Sequence, residues 1–303
     1  MACASVLWLA RTEPDFVLAW VSGWLAPNLS GEMASNVSFR CPPVVETVLG
    51  VQFDRLKGLS NGQIGAFWTS LGPDWPTTSD APKVEDQSER FGTPFSWGVP
   101  GIRIGPQTAS RLQIKNVKGD RMIQVQESRI MYNWLACAEG EYPRYKNVRP
   151  DFDTVFRRFR DFVEERGFGP LVPNQWEITY VNQMPKGTVW NVPSDWASVF
   201  RGLPGAKRAD DEVCLLEAFG GHWHFEIKPQ RGRLHVDIQY GHGGQRQSPE
   251  CVAMMLTARG PISKELPPQQ AIDEGLNLGH EVIVTSFVDM TSDEAHKFWG
   301  KEQ

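Results

Sequence analysis

Four of the chain's six histidines fall within GGHWHFEIKPQRGRLHVDIQYGHGG, residues 220–244. Imidazole nitrogens beside carboxylates do two kinds of chemistry: they bind zinc, and they move protons. Successive strand side chains point to opposite faces. Trp223, Phe225 and Ile227 therefore share one face, and His222, His224 and Glu226 the other. In the following run Leu234, Val236, Ile238 and Tyr240 face the core, opposite His235, Asp237 and Gln239. A turn over residues 229–232 sets Lys228 against Arg233, Glu226 against His235 and His224 against Asp237. That ladder makes His222, His224, His235 and Asp237 the candidate metal ligands. The competing reading is a solvated or partner-contacting strand face, since flat strand faces rarely converge three ligands on one point. His242, among glycines, reads as loop.

A second set lies in GDRMIQVQESRIMYNWL. Its alternation sends Gln124, Gln126, Arg129 and Asn133 to the side away from the core, along with Gln113 and Lys115. Amides mixed with cations suit hydrogen bonding to a ligand or partner backbone. The next segment, EYPRYKNVRPDF, gathers Tyr142, Arg144, Tyr145, Lys146 and Arg149. Interleaved aromatics and cations can stack on and grip nucleic acid, although such a loop more often packs over a sheet edge. From Gly101 to Arg149 nine Lys/Arg face four Asp/Glu, a local balance of +5. The candidate ligand- or partner-binding residues are thus Gln124, Gln126, Arg129, Asn133, Tyr142, Arg144 and Arg149.

These residues need strands and helices to place them. VVETVLGVQF (44–53) reads as a strand, and 59–72 as a short helix with Ile64, Phe67, Trp68 and Leu71 on one stripe. Residues 73–100, rich in Pro, Ser, Thr and Asp, read as an irregular connection. Strands follow at 111–117, 121–126 and 129–135. A helix over 149–167 opens on Pro150 and carries Phe152, Val155, Phe156, Phe159, Phe162 and Val163 inward. The order then restarts: a strand at 174–184, a short helix at 193–202, strands in EVCLLEAFG, HWHFEIK, GRLHVDIQY and ECVAMMLTARG, and a long helix from Pro268. That helix breaks near Asp289–Thr291, where TSDE caps a second one. The expected fold is α+β: two tandem units, 33–167 and 168–303, each strand, short helix, antiparallel meander, long helix. Their sheets can join into one curved sheet, an arrangement similar to TATA-binding-protein-like or helix-grip folds.

The 303 residues are 41% hydrophobic and 22% charged, with twelve Trp and sixteen Phe to fill a core. A net charge of −5 excludes a wholly basic nucleic-acid binder. The five cysteines have no zinc spacing, which fits reduced thiols in the cytoplasm. No apolar run reaches the ~20 residues of a membrane span. Nucleophile-elbow, P-loop and dinucleotide-binding patterns are missing, and no cofactor is expected.

The blocks CPPVVETVLGVQFDRL, LSNGQIGAFW, RMIQVQESRIMYNW, YPRYKNVRPDF and PNQWEITYVNQ resemble, in order, those of a sporadically distributed, uncharacterised prokaryotic protein family. The resemblance spans about residues 40–300. It implies no activity, but a patchy distribution implies an accessory role, in defence or toxin neutralisation. It favours the Gln/Arg/Asn face and the 142–149 segment over the histidines. The expected function is a cytoplasmic, non-enzymatic protein that holds a protein partner or small ligand on polar sheet faces. The alternatives are a metal-dependent hydrolase using the hairpin 222–239 and a nucleic-acid binder using 101–149. The first 32 residues lie outside the resemblance, and Met33 opens an ordinary start. Residues 1–32 are therefore expected to be an over-annotated or disordered extension. Mass spectrometry of the native N-terminus should find no peptide from residues 12–30.

Overall fold

A computed structural model describes residues 37–92, 110–137, 141–202, 216–242 and 250–302, with Ser110 and His242 described in their backbone alone. The expected extension 1–32 lies outside the described residues. So do residues 93–109 and the first part of the strand expected at 212–220; residues 216–219 are not strand.

The chain begins with a two-residue strand β1 (Ser38–Phe39), then the long β2 (Val44–Phe53) and helix α1 (Asn61–Leu71). Next come β3 (Thr77–Pro82), β4 (Ser110–Lys115), β5 (Arg121–Gln126), β6 (Arg129–Leu135) and α2 (Tyr145–Glu165). The second half repeats the order: β7 (Pro173–Pro185), a 3-10 turn (Pro193–Asp195) running into α3 (Trp196–Val199), then β8 (Gly220–Ile227), β9 (Gly232–His242), β10 (Glu250–Pro261) and α4 (Pro268–Met290). Helix α5 (Asp293–Trp299) and β11 (Lys301–Glu302) close it. The Ser292 hydroxyl caps α5 by accepting the Ala295 amide, as the TSDE pattern predicts.

Nine strands form one antiparallel sheet in the order β3-β4-β5-β6-β2-β7-β10-β9-β8. The mixed α+β class expected from the sequence is the one found. The two halves meet at β2 and β7, which pair with Thr47 opposite Tyr180, Leu49 opposite Ile178 and Val51 opposite Trp176. The boundary expected at 167/168 falls between α2 and β7, and residues 35–303 form one compact unit. A separate ribbon pairs β1 with β11.

One sheet face is apolar and takes the helices. Its α2 stripe is buried as the periodicity predicts, from Phe152 to Val163. The helix starts earlier than expected, however, and Pro150, expected to open it, instead sits within it. Strand β3 lies where the composition predicts an irregular connection. It is an edge strand exposed on both faces, so its sequence TTSDAP carries no apolar alternation. No helix among the described residues is long and apolar enough to cross a membrane.

The helix side of the second half is organised around Trp176, which is 2% exposed. A Cβ on Gly275 would sit 2.2 Å from its ring, one on Gly260 2.6 Å, one on Gly279 2.8 Å and one on Gly232 3.0 Å. Two strands and one helix thus give up their side chains to let the indole lie between α4 and the sheet. Gly275→Ala should destabilise the protein by about 1–3 kcal/mol through overpacking, despite alanine's better helix propensity. Gly65→Ala in α1, whose added Cβ meets nothing within 4 Å, should stabilise it by about 0.5–1 kcal/mol. Urea unfolding of the two variants against wild type measures both signs.

Candidate ligand cavity and the covered polar face

The sequence reading left the second sheet face open to solvent; in the structure the chain itself covers it. Gln124, Gln126, Arg129 and Asn133 are all buried, at 5%, 0%, 3% and 1% exposure. The cover is the extended segment 83–92, which follows β3. The Gln126 carboxamide donates to the Val84 carbonyl at 2.8 Å and accepts the Val84 amide at 3.0 Å. Gln52 does the same to Gln87, at 3.1 and 2.9 Å, and Gln175 also donates to the Gln87 carbonyl. Gln126 and Gln52 each offer the segment the donor and acceptor that a neighbouring strand would, and so satisfy backbone that burial would otherwise penalise. Arg129 donates to Gln52 Oε1 at 2.6 Å and pairs with Glu177 at 3.3 Å. Gln113, Gln124, Asn133 and Glu46 form a hydrogen-bonded row across β4, β5, β6 and β2. Burial raises the Glu46 carboxyl above its usual range.

The hairpin keeps its predicted faces but not its predicted register. His222 opposes Asp237, His224 opposes His235 and Glu226 opposes Arg233. The pairing expected of His224 with Asp237, and of Glu226 with His235, is displaced by two residues. The turn occupies 228–231, and Gly232, assigned to the turn by the sequence reading, is needed inside β9. There a Cβ would lie 2.7 Å from the Arg259 carbonyl oxygen.

The four candidate metal ligands do not converge. His222 Nδ1 meets Asp237 at 2.8 Å. His235 uses Nδ1 on His224 Nδ1 at 2.8 Å and Nε2 on Glu89 at 2.7 Å. Among the described residues no group of three His, Cys, Asp or Glu side chains is placed to hold a metal ion. The hairpin instead anchors the covering segment. Glu89, with its side chain 4% exposed, accepts His235, Arg233 at 2.6 Å and Arg259 at 2.9 Å. Arg259 continues to Glu177 at 2.9 Å and so reaches Arg129. Burial alone would raise the Glu89 carboxyl. The His235 hydrogen bond and the His235 and Arg259 charges outweigh it and hold the group at about 2.

Three of the eight described cations of the 101–149 stretch are also committed to carboxylates. Residues 101–109 and 138–140 lie outside the described residues. Of the others, Arg121 pairs with Asp120 and Asp151, Arg129 with Glu177, and Arg149 with Asp153 and Asp273.

Tyr142 and Arg144 belong to a different place, a cavity of about 490 Å³ on the helix side. Both halves build it. Val37, Phe39, Val44, Ile283, Val284 and Phe287 supply apolar wall. The polar part is a relay: Tyr142 donates its hydroxyl to Tyr180 at 3.2 Å, and Tyr180 lies 2.8 Å from His280 Nδ1. With Tyr142 donating to it, Tyr180 has its own proton for His280. Nδ1 is then the bare nitrogen and Nε2 carries the hydrogen. Burial pushes His280 down to about 4 and Tyr142 up to about 12, and raises Tyr180 well above the usual phenol range. All three are neutral near pH 7, and His280 is a weak base. The relay orients an occupant better than it deprotonates one.

Tyr145 stacks on His280 with ring centres 4.1 Å apart and planes within 9°. Its hydroxyl donates to Asn277 at 2.8 Å and accepts Arg149 at 3.4 Å. Arg149 is thus a buttress behind the cavity wall. Arg144 precedes α2 with φ 68° and ψ 153°, a region that glycine alone occupies readily and that costs other residues about 1–3 kcal/mol. Its guanidinium lies 6.0 Å from the Tyr142 ring centre.

Sequence reasoning found Tyr142, Arg144, Tyr145 and Lys146 here but missed His280 and Tyr180. One signal was available. Leu276, His280, Ile283 and Phe287 follow one stripe of α4, so a histidine stands where the helix needs an inward-facing residue.

Glu89→Gln should remove about 3 kcal/mol of stability at pH 7, because Arg233, Arg259 and His235 lose their shared anion. Glu89 titrates below its usual range, so its contribution is complete above about pH 4.5 and drains away as pH falls toward 2. The gap between wild type and variant should therefore narrow between pH 5 and 3 in urea titrations; a constant gap would contradict the assignment. Neither the protein-family models nor the curated proteins contain a match to this chain.

Proposed function

We propose that the protein is a non-enzymatic binding protein whose ligand is a small organic molecule held in the cavity beside Tyr142, Tyr145, Tyr180 and His280. The observation that carries the reading is the cavity. At about 490 Å³ it lies within the range of roughly 300–1,000 Å³ typical of ligand pockets, with mostly apolar walls and a few converging polar groups. The neutral relay supports binding over catalysis, since it pairs two protonated phenols with a weak imidazole base. The burial of Gln124, Gln126, Arg129 and Asn133 under the chain's own segment moves the ligand from the polar sheet face to the helix side. The commitment of Arg121, Arg129 and Arg149 to internal carboxylates weighs against nucleic acid. The resemblance to the sporadically distributed prokaryotic family fits a cytoplasmic accessory role, in defence or toxin neutralisation, in which a captured small molecule is the signal or the cargo.

Thermal denaturation of the purified full chain against fractionated small molecules from its native cells tests this. At a hundredfold excess over Kd, a true ligand should stabilise the fold by about 2.7 kcal/mol. Tyr145→Ala and His280→Leu should each weaken it tenfold or more, about 1.4 kcal/mol. A ligand whose affinity neither variant changes would refute the cavity as its site.

A further inference from the structure

Resting on the cavity reading, we infer the class of its ligand: an organic acid with an apolar body and one carboxylate, the carboxylate held by Arg144 and Lys146. Two observations carry this. The first is how the cations are used. Among the described residues the buried arginines Arg129, Arg149 and Arg259 all face carboxylates, whereas Arg144 and Lys146, the two Lys/Arg side chains among the cavity's lining residues, have no ion pair. Glu302 is the one acidic side chain among the cavity's lining residues, and it accepts the Ser38 hydroxyl at 2.7 Å. The lining therefore carries two cations against one anion. Arg144 is half-buried beside apolar surface and Lys146 is exposed at the rim; a charge with part of its hydration removed favours an occupant that brings the opposite charge.

The second observation is the backbone at Arg144. Its φ of 68° with ψ 153° is a conformation suited to glycine. What the backbone contributes here, the carbonyl that accepts the Asn147 and Val148 amides at 3.1 and 3.2 Å, a glycine would contribute equally. The arginine side chain is thus kept at a position where it strains the main chain. What it adds is a guanidinium at the cavity, above the Tyr142 ring. A guanidinium presents paired donors that match the two oxygens of a carboxylate. The rest of the lining is suited to the other end of such a molecule: Phe39, Val44, Ile283 and Phe287 offer no charge, and the neutral Tyr180 and His280 do not repel it.

The test compares acids with their own amides. 2-Naphthoate and decanoate, each beside its carboxamide, are titrated calorimetrically into the full-length protein. At least one acid should bind tenfold or more tightly than its amide. Arg144→Gly should abolish that preference while raising the melting temperature, because it relieves the backbone; Arg144→Lys should keep part of the preference. A simply structural arginine would not separate the two readouts in this way. If an amide binds as well as its acid, the cavity reading stands and the anionic class is wrong. If Arg144→Gly keeps the preference, the assignment of the carboxylate to Arg144 is wrong. If neither body binds in either form, the cavity reading and this inference fall together.

Discussion

The pairing of β2 with β7 is the constraint from which the rest of the architecture follows. It turns two short sheets into one, and it removes two edges that would otherwise present unpaired backbone. Everything that crosses the midline uses it. On the helix side Leu49, Val51, Trp176 and Ile178 are brought into one core. At one end of the seam Tyr180 and Val44 come within reach of α2 and α4, so the cavity has walls from both halves. On the opposite face Arg129 of the first half meets Glu177 of the second, and Gln52 and Gln175 hold the same carbonyl.

The polar face shows what a wide sheet demands when its helices lie on one side only. Apolar side chains there would have needed a second helical layer. This chain instead lays an extended segment across amides and charges. Such a network is costly to leave incomplete and contributes modestly when complete. Its larger effect is on uniqueness. The bidentate contacts of Gln126 to Val84 and of Gln52 to Gln87 fix one register for the covering segment, and Glu89 locks its far end to three cationic or imidazole groups. Slipping the segment by one residue would break all of them together.

Much of this fold could be read from periodicity, because its buried elements alternate at the spacing of their class. The stripe from Phe152 to Val163 and the Trp176, Ile178, Tyr180 face are cases in which local pattern and tertiary burial agree. Strand β3 and the segment after it could not be read this way. Their sequence is polar because one is an exposed edge and the other is held by side-chain amides rather than by packing. The same blindness displaced the site. Alternation correctly put Gln124 and Asn133 away from the core, but it carries no information on what lies beyond them. His280 and Tyr180 escaped for the converse reason. They occupy core positions by spacing, and only three-dimensional proximity shows that they border a space rather than fill one. The hairpin register turned on Gly232, whose lack of a side chain serves a neighbour distant in sequence rather than a local turn.

The indole of Trp176 and the glycines at 232, 260, 275 and 279 have a consequence for how the chain can vary. The two halves share an order of elements, yet every single change at these five positions carries a packing cost. A methyl group on any glycine collides with the ring, and a smaller residue at 176 leaves a void that four glycines cannot fill. Changes at the five positions are therefore coupled through the ring. Whatever the two halves share in their order of elements, this block gives the second half a core of its own kind.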